Sequence, residues 1–258
     1  LLVHPELEKQ VPLDFVQHKV PRIDAATWRP VEWPADPSLE WCPPGHGDLY
    51  IALASSGMLE MLRGNGFRYA FVSNADNLGA TLDPAILSWI AREELPFLME
   101  VADRTPADRK GGHLARRAGD GGLVLREVAQ TPESDLDAFQ DITRHRFFNT
   151  NSVWLDLERV AADRAADAVI DLPMIVNRKT VDPADPASPK IIQLETAMGA
   201  AIASFPGARA LRVPRTRFLP VKTTDDLLVL RSDAYVLDER AHVVAAPASG
   251  GAIWISAP

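Results

Sequence analysis

The chain has 258 residues and a formal net charge of −8, and 47% of its residues are hydrophobic while 24% are charged. This composition is typical of a folded globular protein and argues against extensive disorder. The acidic balance and the lack of a basic run argue against a nucleic-acid-binding protein, and no apolar stretch approaches the roughly 18 residues that a membrane-spanning helix needs.

The first half of the chain begins with loops and then alternates between helix and strand. The first 48 residues contain eight prolines, which favour extended segments and loops. Residues 49–66 have a helical spacing of leucines, and the apolar run Tyr69–Val72 predicts a buried strand. Asp83 is a good N-cap residue, so we expect a helix over residues 83–94 and the next strand over residues 95–101.

The second half continues the alternation around a predicted hairpin turn at residues 119–122, which contain three glycines. The later predicted elements are helices at 133–145, 157–166 and 196–204, a strand at 147–155, an extended segment at 213–221 and a helix from 225. Strands that alternate with helices predict an α/β protein with a mostly parallel sheet and helices on both faces.

The loop that follows Tyr69–Val72 is the first candidate ligand site. Ligands of open α/β sheets bind at the carboxyl ends of the strands. Asn74 and Asn77 can each donate and accept hydrogen bonds, and Asp76 can hold a hard cation through its carboxylate oxygens. The alternative is an ordinary polar turn at a strand end.

A loop rich in proline and glycine surrounds His46 and forms a second candidate site. Glycines such as Gly45 allow a ligand to approach the backbone closely, and the imidazole of His46 can hydrogen-bond a base or a sugar. A metal-binding role for His46 is disfavoured because no second histidine or cysteine stands at ligand spacing. The alternative is a histidine in a solvent-facing loop.

Two further groups of polar residues are candidate binding sites, one for sugar hydroxyls and the other for phosphate. Asn149 and Asn151 share one face of a predicted strand and could bind sugar hydroxyls, although they could also belong to a turn. Arg215, Arg217 and Lys222 fall within eight positions and could bind phosphate, although such cations are also common on surfaces.

Eight segments of the chain, in order, resemble the UDPGP family of eukaryotic-type UTP–glucose-1-phosphate uridylyltransferases. The matching segments are PPGHGDLY, FVSNADNLGA, ADRKGG, LREVAQ, FFNTNS, IVNRK, IQLETAMGAAI and VPRTRFLPVKTTDDLL. The resemblance extends over nearly the whole chain, from about residue 15 to residue 235.

The resemblance implies conversion of UTP and glucose 1-phosphate to UDP-glucose and pyrophosphate with Mg²⁺. In-line attack at the α-phosphorus requires positioning and charge neutralisation and no covalent nucleophile. The residues that resemble nucleotide-binding positions of the family are Gln17, Gly45, His46, Asn74 and Asp76.

The resemblance also implies a sugar site, a metal ligand and a catalytic lysine. The residues that resemble sugar-binding positions are Gly112, Glu127, Asn149 and Asn151. Asp76 resembles the metal ligand, and Lys222 resembles the phosphate-binding catalytic lysine.

The implied fold is α/β, with a mixed, mainly parallel Rossmann-like nucleotidyltransferase sheet and flanking helices. The family has a glycine-rich loop and a lysine at the start of its catalytic domain, and the chain starts downstream of that loop. We therefore expect an N-terminally truncated core over residues 1–232, the start of a C-terminal β-helix over residues 233–258, and no activity of this chain by itself.

Two alternatives stay open at the level of the sequence: a broad-specificity UDP-sugar pyrophosphorylase and a non-catalytic nucleotide-sugar binding module. An exposed edge strand of a truncated sheet would favour self-association into a homo-oligomer. The single cysteine, Cys42, fits a cytoplasmic location. The acidic balance and the lack of a long apolar stretch argue against nucleic acid and a membrane as partners.

Overall fold

The computed structural model describes residues 11–109, 111–165 and 170–246 of the chain. Its α-helices are α1 (Leu49–Ser55), α2 (Met58–Gly64), α3 (Pro84–Arg92), α4 (Leu136–Gln140), α5 (Leu157–Ala165) and α6 (Thr224–Arg231). Its strands are β1 (Val20–Pro21), β2 (Ile23–Asp24), β3 (Trp41–Cys42), β4 (Tyr69–Val72), β5 (Phe97–Asp103), β6 (His113–Arg116), β7 (Leu123–Arg126), β8 (Phe147–Asp156), β9 (Ile175–Thr180), β10 (Lys190–Glu195), β11 (Arg209–Arg212), β12 (Tyr235–Leu237) and β13 (Val243–Ala245). Its 3-10 helices cover Pro37–Glu40, His46–Asp48, Pro106–Asp108, Val128–Gln130, Glu133–Asp135, Met198–Ala203 and Arg215–Arg217.

The central sheet of the described residues contains six strands in the order β11-β5-β8-β6-β7, with β4 also paired to β8. Strands β4 and β5 are both antiparallel to β8, whereas β11 is parallel to β5. Strands β4, β5 and β11 therefore run in one direction, and β8 runs against them. Their carboxyl ends share one edge of the sheet with the amino end of β8.

The expected mixed sheet with flanking helices is confirmed, but the expectation of a mainly parallel sheet is wrong. Among the described strands, β11 and β5 form the one parallel pair of the central sheet. After β5 the chain forms the β6–β7 hairpin and α4 and then returns as β8 from the same edge, so no crossover restores the strand direction. The apolar sequence of β8 does not reveal its direction, because a strand buried on both faces lacks alternation.

Both faces of the central sheet are buried. Phe97 and Leu98 are neighbours in β5 but belong to different core clusters, and the same is true of Leu155 and Trp154 in β8. Successive residues of a strand point to opposite faces. The face of Phe97 packs against α1, α2 and α5, and the face of Leu98 packs against α3. Each such large apolar side chain stabilises the fold by about 1.5–3 kcal/mol when buried.

Local predictions differ in how well they match the structure. The strand at Tyr69–Val72 and the hairpin turn at 119–122, between β6 and β7, are confirmed. The helix expected over 49–66 is divided at Gly57, whose φ of +77° interrupts the helix. The helix expected over 196–204 is the 3-10 helix Met198–Ala203.

Three smaller sheets of the described residues lie outside the central one, and in the first of them β1 pairs antiparallel with β3. Strands β2, β10 and β9 form a three-stranded antiparallel sheet, and β12 and β13 form a hairpin. The hairpin falls in the segment expected to start a β-helix, and residues 247–258 of that segment lie outside the described residues. None of the described helices has the length and apolar character needed to cross a membrane.

Candidate functional site

A cavity of about 240 Å³, here named the polar cavity, lies beside the loops that follow β4, β5 and β11. The predicted site residues that line it are Asn74, Asp76, Gly112, Glu127, Asn149, Asn151 and Lys222. The other lining residues are Asn77, Asp108, Gly111, Phe148, Phe218 and Pro220. The shared sheet edge explains why segments distant in sequence meet here.

Asn149 and Asn151 face the polar cavity from β8 and hold each other in place. Asn149 Nδ2 donates to Asn151 Oδ1 at 2.8 Å, and the backbone N–H of Asn151 donates to Asn149 Oδ1 at 3.0 Å. The strand is irregular here, and Asn151 has a φ of +56°, which asparagine tolerates better than most residues. The interpretation as a strand rather than a turn is confirmed, and each amide keeps hydrogen-bonding capacity for a ligand.

Gly112 and Glu127 form another wall of the cavity. A Cβ atom at Gly112 would collide with the Glu127 carboxylate, so any larger residue here would displace that carboxylate from its present position. The carbonyl of Gly112 accepts a hydrogen bond from the Asn149 N–H at 3.0 Å. Burial raises the pKa of Glu127 to about 7. Near neutral pH this carboxyl group can therefore either accept from a hydroxyl as the anion or donate as the acid.

The loop after β4 is attached to the loop before α6 through Asn77. This side chain is 5% exposed; its Oδ1 accepts from the N–H groups of Leu219 at 2.8 Å and Gly79 at 3.2 Å. Its Nδ2 donates to the Arg217 carbonyl at 3.1 Å. Asn77 is a candidate ligand-binding residue by sequence, but these bonds use its amide to join the two loops.

Asp76 lies directly before this junction, and its carbonyl accepts from the Val221 N–H at 2.9 Å. Asp76 therefore stands beside the segment that carries Lys222. Its Oδ1 atom is buried and has no hydrogen-bond partner in the structure. A buried carboxylate oxygen without a partner suits a hard cation, and Mg²⁺ in phosphate-transfer sites is often held by one or two carboxylates plus phosphate oxygens. Within the described residues no group of three or more His, Cys, Asp and Glu could hold a metal, so the ligands supplied by protein would be few.

The three cations before α6 do not act together, contrary to the expectation of one cationic site. Arg217 makes a bidentate ion pair with Glu100, with both N–O distances 2.7 Å, and its side chain is 12% exposed while that of Glu100 is fully buried. Arg215 donates to Asp108 Oδ2 at 2.7 Å and lies 4.9 Å from the ring of Phe148. Only Lys222 of the three lines the polar cavity, with an exposed side chain.

The second part of the site is the segment 44–48, here named the glycine loop, which packs against residues 195–198. Gly45 has a φ of +83°, and a Cβ atom there would lie 2.5 Å from the Thr196 carbonyl oxygen. Gly47 N–H donates to that same carbonyl at 2.9 Å. Gln17 Nε2 donates to the Gly45 carbonyl at 2.7 Å, so Gln17, Gly45 and His46 come together as the sequence suggested.

The ring of His46 is held in one tautomer. Its Nδ1 accepts a hydrogen bond from the Met198 N–H at 2.9 Å, which leaves Nε2 to carry the proton in the neutral ring. Partial burial of the ring lowers the pKa of His46, and the charge of Glu195 opposes this effect. The residue is exposed overall, so its Nε2–H remains accessible to a ligand.

The 3-10 helix Met198–Ala203 connects the two parts of the site. Met198 binds His46 through its N–H, and its carbonyl accepts from Tyr50 Oη at 2.8 Å. The next residue, Gly199, packs against Asn149, whose Nδ2 would lie 2.7 Å from a Cβ atom at this position. Gly199 is not among the site residues predicted from the sequence, although it stands near a predicted helix start beside small residues.

Asp108 is a further cavity residue that sequence reasoning missed. Its Oδ2 accepts from the Thr105 N–H at 2.8 Å and from Thr105 Oγ1 at 2.6 Å, as well as from Arg215. The available signal was the spacing Thr-x-x-Asp, which is a capping pattern. Its partner Arg215 lies 107 positions away, and no local pattern could reveal that contact.

The chain matches known proteins over most of its length. The family described as UTP–glucose-1-phosphate uridylyltransferase matches residues 4–252. The chain is 43% identical over 222 residues to the UTP–glucose-1-phosphate uridylyltransferase of Encephalitozoon cuniculi, covering 86% of this chain and 43% of that protein. It is 40% identical over 235 residues to the Solanum tuberosum protein of the same name, covering 91% of this chain and 48% of that protein.

Solved structures give a consistent result. A UDP-glucose phosphorylase from Trypanosoma brucei superimposes with a TM-score of 0.86 at 49% identity, covering 94% of this chain and 52% of that chain. A mutant UDP-glucose pyrophosphorylase from Leishmania major, in complex with UDP-glucose, gives a TM-score of 0.82 at 50% identity, covering 89% of this chain and 50% of that chain. The chain spans about half the length of the curated relatives it matches.

Proposed function

The chain belongs to the UTP–glucose-1-phosphate uridylyltransferase family, and we propose that its site serves uridylyl transfer from UTP to glucose 1-phosphate, giving UDP-glucose and pyrophosphate. The observation that carries this proposal is the polar cavity. Four asparagine amides, one carboxyl group with a pKa near 7, one metal-suited carboxylate and one lysine converge on a single space.

The glycine loop is the proposed uridine-binding part. The Nε2–H of His46 is suited to donate a hydrogen bond to a carbonyl group of a uracil ring. Gln17 supports the loop by its hydrogen bond to the Gly45 carbonyl. In the polar cavity Asn74 would contact the nucleotide on the side facing the phosphates.

The sugar and the phosphate are assigned to the polar cavity. Gly112, Glu127, Asn149 and Asn151 would bind glucose hydroxyls, because each hydroxyl needs both a donor and an acceptor. The phosphate oxygen of glucose 1-phosphate attacks the α-phosphorus of UTP in line, and the bond to pyrophosphate breaks as the new P–O bond forms. Lys222 supplies a positive charge to the phosphate during this step.

Mg²⁺ is the proposed cofactor, with Asp76 as its protein ligand. The unpartnered, buried Oδ1 of Asp76 is the observation that fits the ion. When bound, Mg²⁺ would neutralise charge on the phosphates. Asp76 itself is held beside Lys222 through the Asn77 junction.

A calorimetric titration of the chain with UDP-glucose and Mg²⁺ tests the proposal, with Lys222→Ala as the variant. We expect saturable binding that weakens about tenfold or more in the variant, because a charge-assisted contact to phosphate is lost. Lys179→Ala is the matched control, since Lys179 is an exposed lysine of β9 that does not line the polar cavity. Equal affinities of all three proteins, or no binding at all, would contradict the proposed site.

A turnover assay run beside the titration tests the expectation that this chain has no activity by itself. The same assay with UDP-galactose in place of UDP-glucose distinguishes two kinds of enzyme. A broad-specificity UDP-sugar pyrophosphorylase would release UTP from both sugars, and a glucose-type enzyme from UDP-glucose alone. Release of UTP from UDP-glucose and pyrophosphate would exclude a non-catalytic binding module.

We also propose the finer architecture that the resemblance implies: a Rossmann-like core over residues 1–232 and the start of a β-helix over 233–258. The β12–β13 hairpin supports a boundary there, because its strands pair with each other and with no other described strand.

Self-association is proposed because β4 and β11 each have one side unpaired among the described strands. Light scattering that finds a monodisperse monomer would contradict this proposal. A cytoplasmic location is proposed on the single, buried Cys42.

A further inference from the structure

A second, larger cavity of about 860 Å³ lies between the β6–β7 hairpin, the segment 202–208 and β11. We name it the arginine cavity. It shares no lining residue with the polar cavity. The 3-10 helix Met198–Ala203 lies between the two, because Gly199 packs against Asn149 of the polar cavity whereas Ile202 and Ala203 line the arginine cavity. Its volume falls within the range of about 300–1,000 Å³ that is usual for small-molecule sites.

The floor of the arginine cavity is apolar. The large apolar residues that line it are Val101, Leu114, Leu123, Phe147, Ile202 and Phe205. All six belong to, or pack against, the main core cluster, so the floor is fixed by the fold. Val101, Ile202 and Phe205 are almost fully buried, so the partly exposed Leu114, Leu123 and Phe147 supply the apolar surface of the floor. An apolar ligand body would gain stability there because it leaves water.

The rim carries four arginines: Arg116, Arg117, Arg209 and Arg212. Arg117 is paired with Asp120, and Arg212 is paired with Asp103. These two acidic partners offset two of the four positive charges.

The other two arginines leave a surplus of positive charge. Arg116 donates to the Gly121 carbonyl at 3.0 Å and forms no ion pair among the described residues, and Arg209 likewise has no ion-pair partner there. A local surplus of two positive charges is notable in a chain whose net charge is −8. Guanidinium groups match the geometry of phosphate and carboxylate oxygens.

We propose that the arginine cavity binds a small organic anion, namely a phosphate or carboxylate carried on an apolar body. The apolar part lies on the floor near Leu114, Leu123 and Phe147, and the anionic group lies at the rim between Arg116 and Arg209. The charge complementarity of rim and ligand selects an anion over a neutral amphiphile. This site is separate from the proposed UDP-glucose site and does not depend on it.

Calorimetric titration of the chain with octyl phosphate, octanoate and octyl glucoside, each below its micelle concentration, tests the proposal. We expect one equivalent of an anionic probe to bind, and to bind about tenfold or more tightly than octyl glucoside. The two anionic probes distinguish a phosphate ligand from a carboxylate ligand. Saturating UDP-glucose leaves the stoichiometry unchanged, because the cavities share no residue.

The double variant Arg116→Gln, Arg209→Gln should weaken anion binding about tenfold or more while leaving octyl glucoside unaffected. Arg92→Gln is the matched control, because Arg92 is exposed on α3, is paired with its neighbour Glu93 and is absent from the cavity. Ala203→Trp adds a bulky side chain at an exposed position of the lining and should block all three probes.

The proposal is overturned if octyl glucoside binds as tightly as both anions, or if the double variant binds the anions as well as the unmodified chain. Displacement of the anion by UDP-glucose would also overturn it, because the probe would then occupy the polar cavity. Failure of UDP-glucose to bind would bear on the proposed function and would leave these results interpretable.

Discussion

The glycine loop and the loop after β4 both reach across the molecule to a distant segment, but they are held there by opposite means. Gly45 and Gly47 approach Thr196 closely because they have no side chains, whereas the loop after β4 is joined to its partner by the buried side chain of Asn77. We therefore expect added atoms at Gly45 or Gly47 to destabilise the glycine loop. We expect removal of atoms from Asn77 to destabilise the loop after β4.

The largest effect is expected at the buried ion pair between Arg217 and Glu100. The carbonyl of Arg217 accepts from Asn77, which lines the polar cavity. Arg217→Met leaves the fully buried Glu100 carboxylate without its ion-pair partner and with only the Trp154 Nε1–H as a described side-chain donor. Removal of one partner of a buried pair costs about 3–5 kcal/mol of unfolding free energy. Urea unfolding followed by tryptophan fluorescence measures this loss. Arg92→Met, which removes an exposed cation, should change the unfolding free energy by less than about 1 kcal/mol. Similar values for the two variants would show that the buried pair contributes little.

The next effect tests the glycine loop by adding one carbon atom. Gly45→Ala combines a φ of +83° with a Cβ atom 2.5 Å from the Thr196 carbonyl oxygen, and we expect a cost of about 2–4 kcal/mol together with weaker UDP-glucose binding. Gly57→Ala is the matched control, because its φ is +77° but nothing lies within 4 Å of the added atom. It should cost about 1–2 kcal/mol and leave binding unchanged. If both variants retain full affinity, the close approach of the glycine loop does not matter for the ligand.

The third test removes atoms from the junction of the polar cavity. Asn77→Ala deprives two N–H groups and one carbonyl of their partners, and we expect a loss of about 2 kcal/mol in unfolding free energy. The Mg²⁺ concentration needed for half-maximal UDP-glucose binding should also rise, because Asp76 is no longer fixed beside Lys222.

Asn77→Asp is the informative companion, since it keeps both accepted hydrogen bonds, replaces the donation to the Arg217 carbonyl by an acceptor oxygen and adds a negative charge. It should lie between the unmodified chain and the alanine variant in its Mg²⁺ requirement. An alanine variant that is destabilised but keeps the original Mg²⁺ dependence would assign Asn77 to the fold alone.

The smallest effect concerns pH. The pKa of Glu127 is raised by burial from an ordinary value of 4.5 to about 7. The proton-bound form is therefore favoured by folding, and this contribution is fully present below about pH 4.5 and lost as the pH rises through about 7. Relative to Glu127→Gln, the chain should lose about 1–2 kcal/mol of unfolding free energy between pH 5 and pH 8, allowing for partial solvent exposure.

Urea unfolding at several pH values checks this prediction. Glu60→Gln, at an exposed position of α2, should give a difference that does not vary over the same range. A flat difference for Glu127→Gln as well would mean that its pKa is not raised in the folded protein.

Much of the fold and site followed from local patterns in the sequence. The strand Tyr69–Val72 and the polar residues after it were recognisable because a short apolar run ended at asparagine and aspartate. The direction of β8 was not recognisable from the sequence, because antiparallel and parallel buried strands have the same apolar composition. The partner of Arg217 was also hidden, because Glu100 is 117 positions away and only the folded sheet brings the two together.

The short helix Met198–Ala203 fixes the distance between the two parts of the site. Its first residue binds His46, its second packs on Asn149, and five of its six residues are buried. A 3-10 helix turns by about 120° and rises about 2 Å for each residue. Insertion or deletion of a single residue would therefore rotate one contact away from its partner while the other stayed in place. The separation of the two binding parts therefore depends on the number of residues in this helix. We expect insertions and deletions here to impair ligand binding far more than substitutions do.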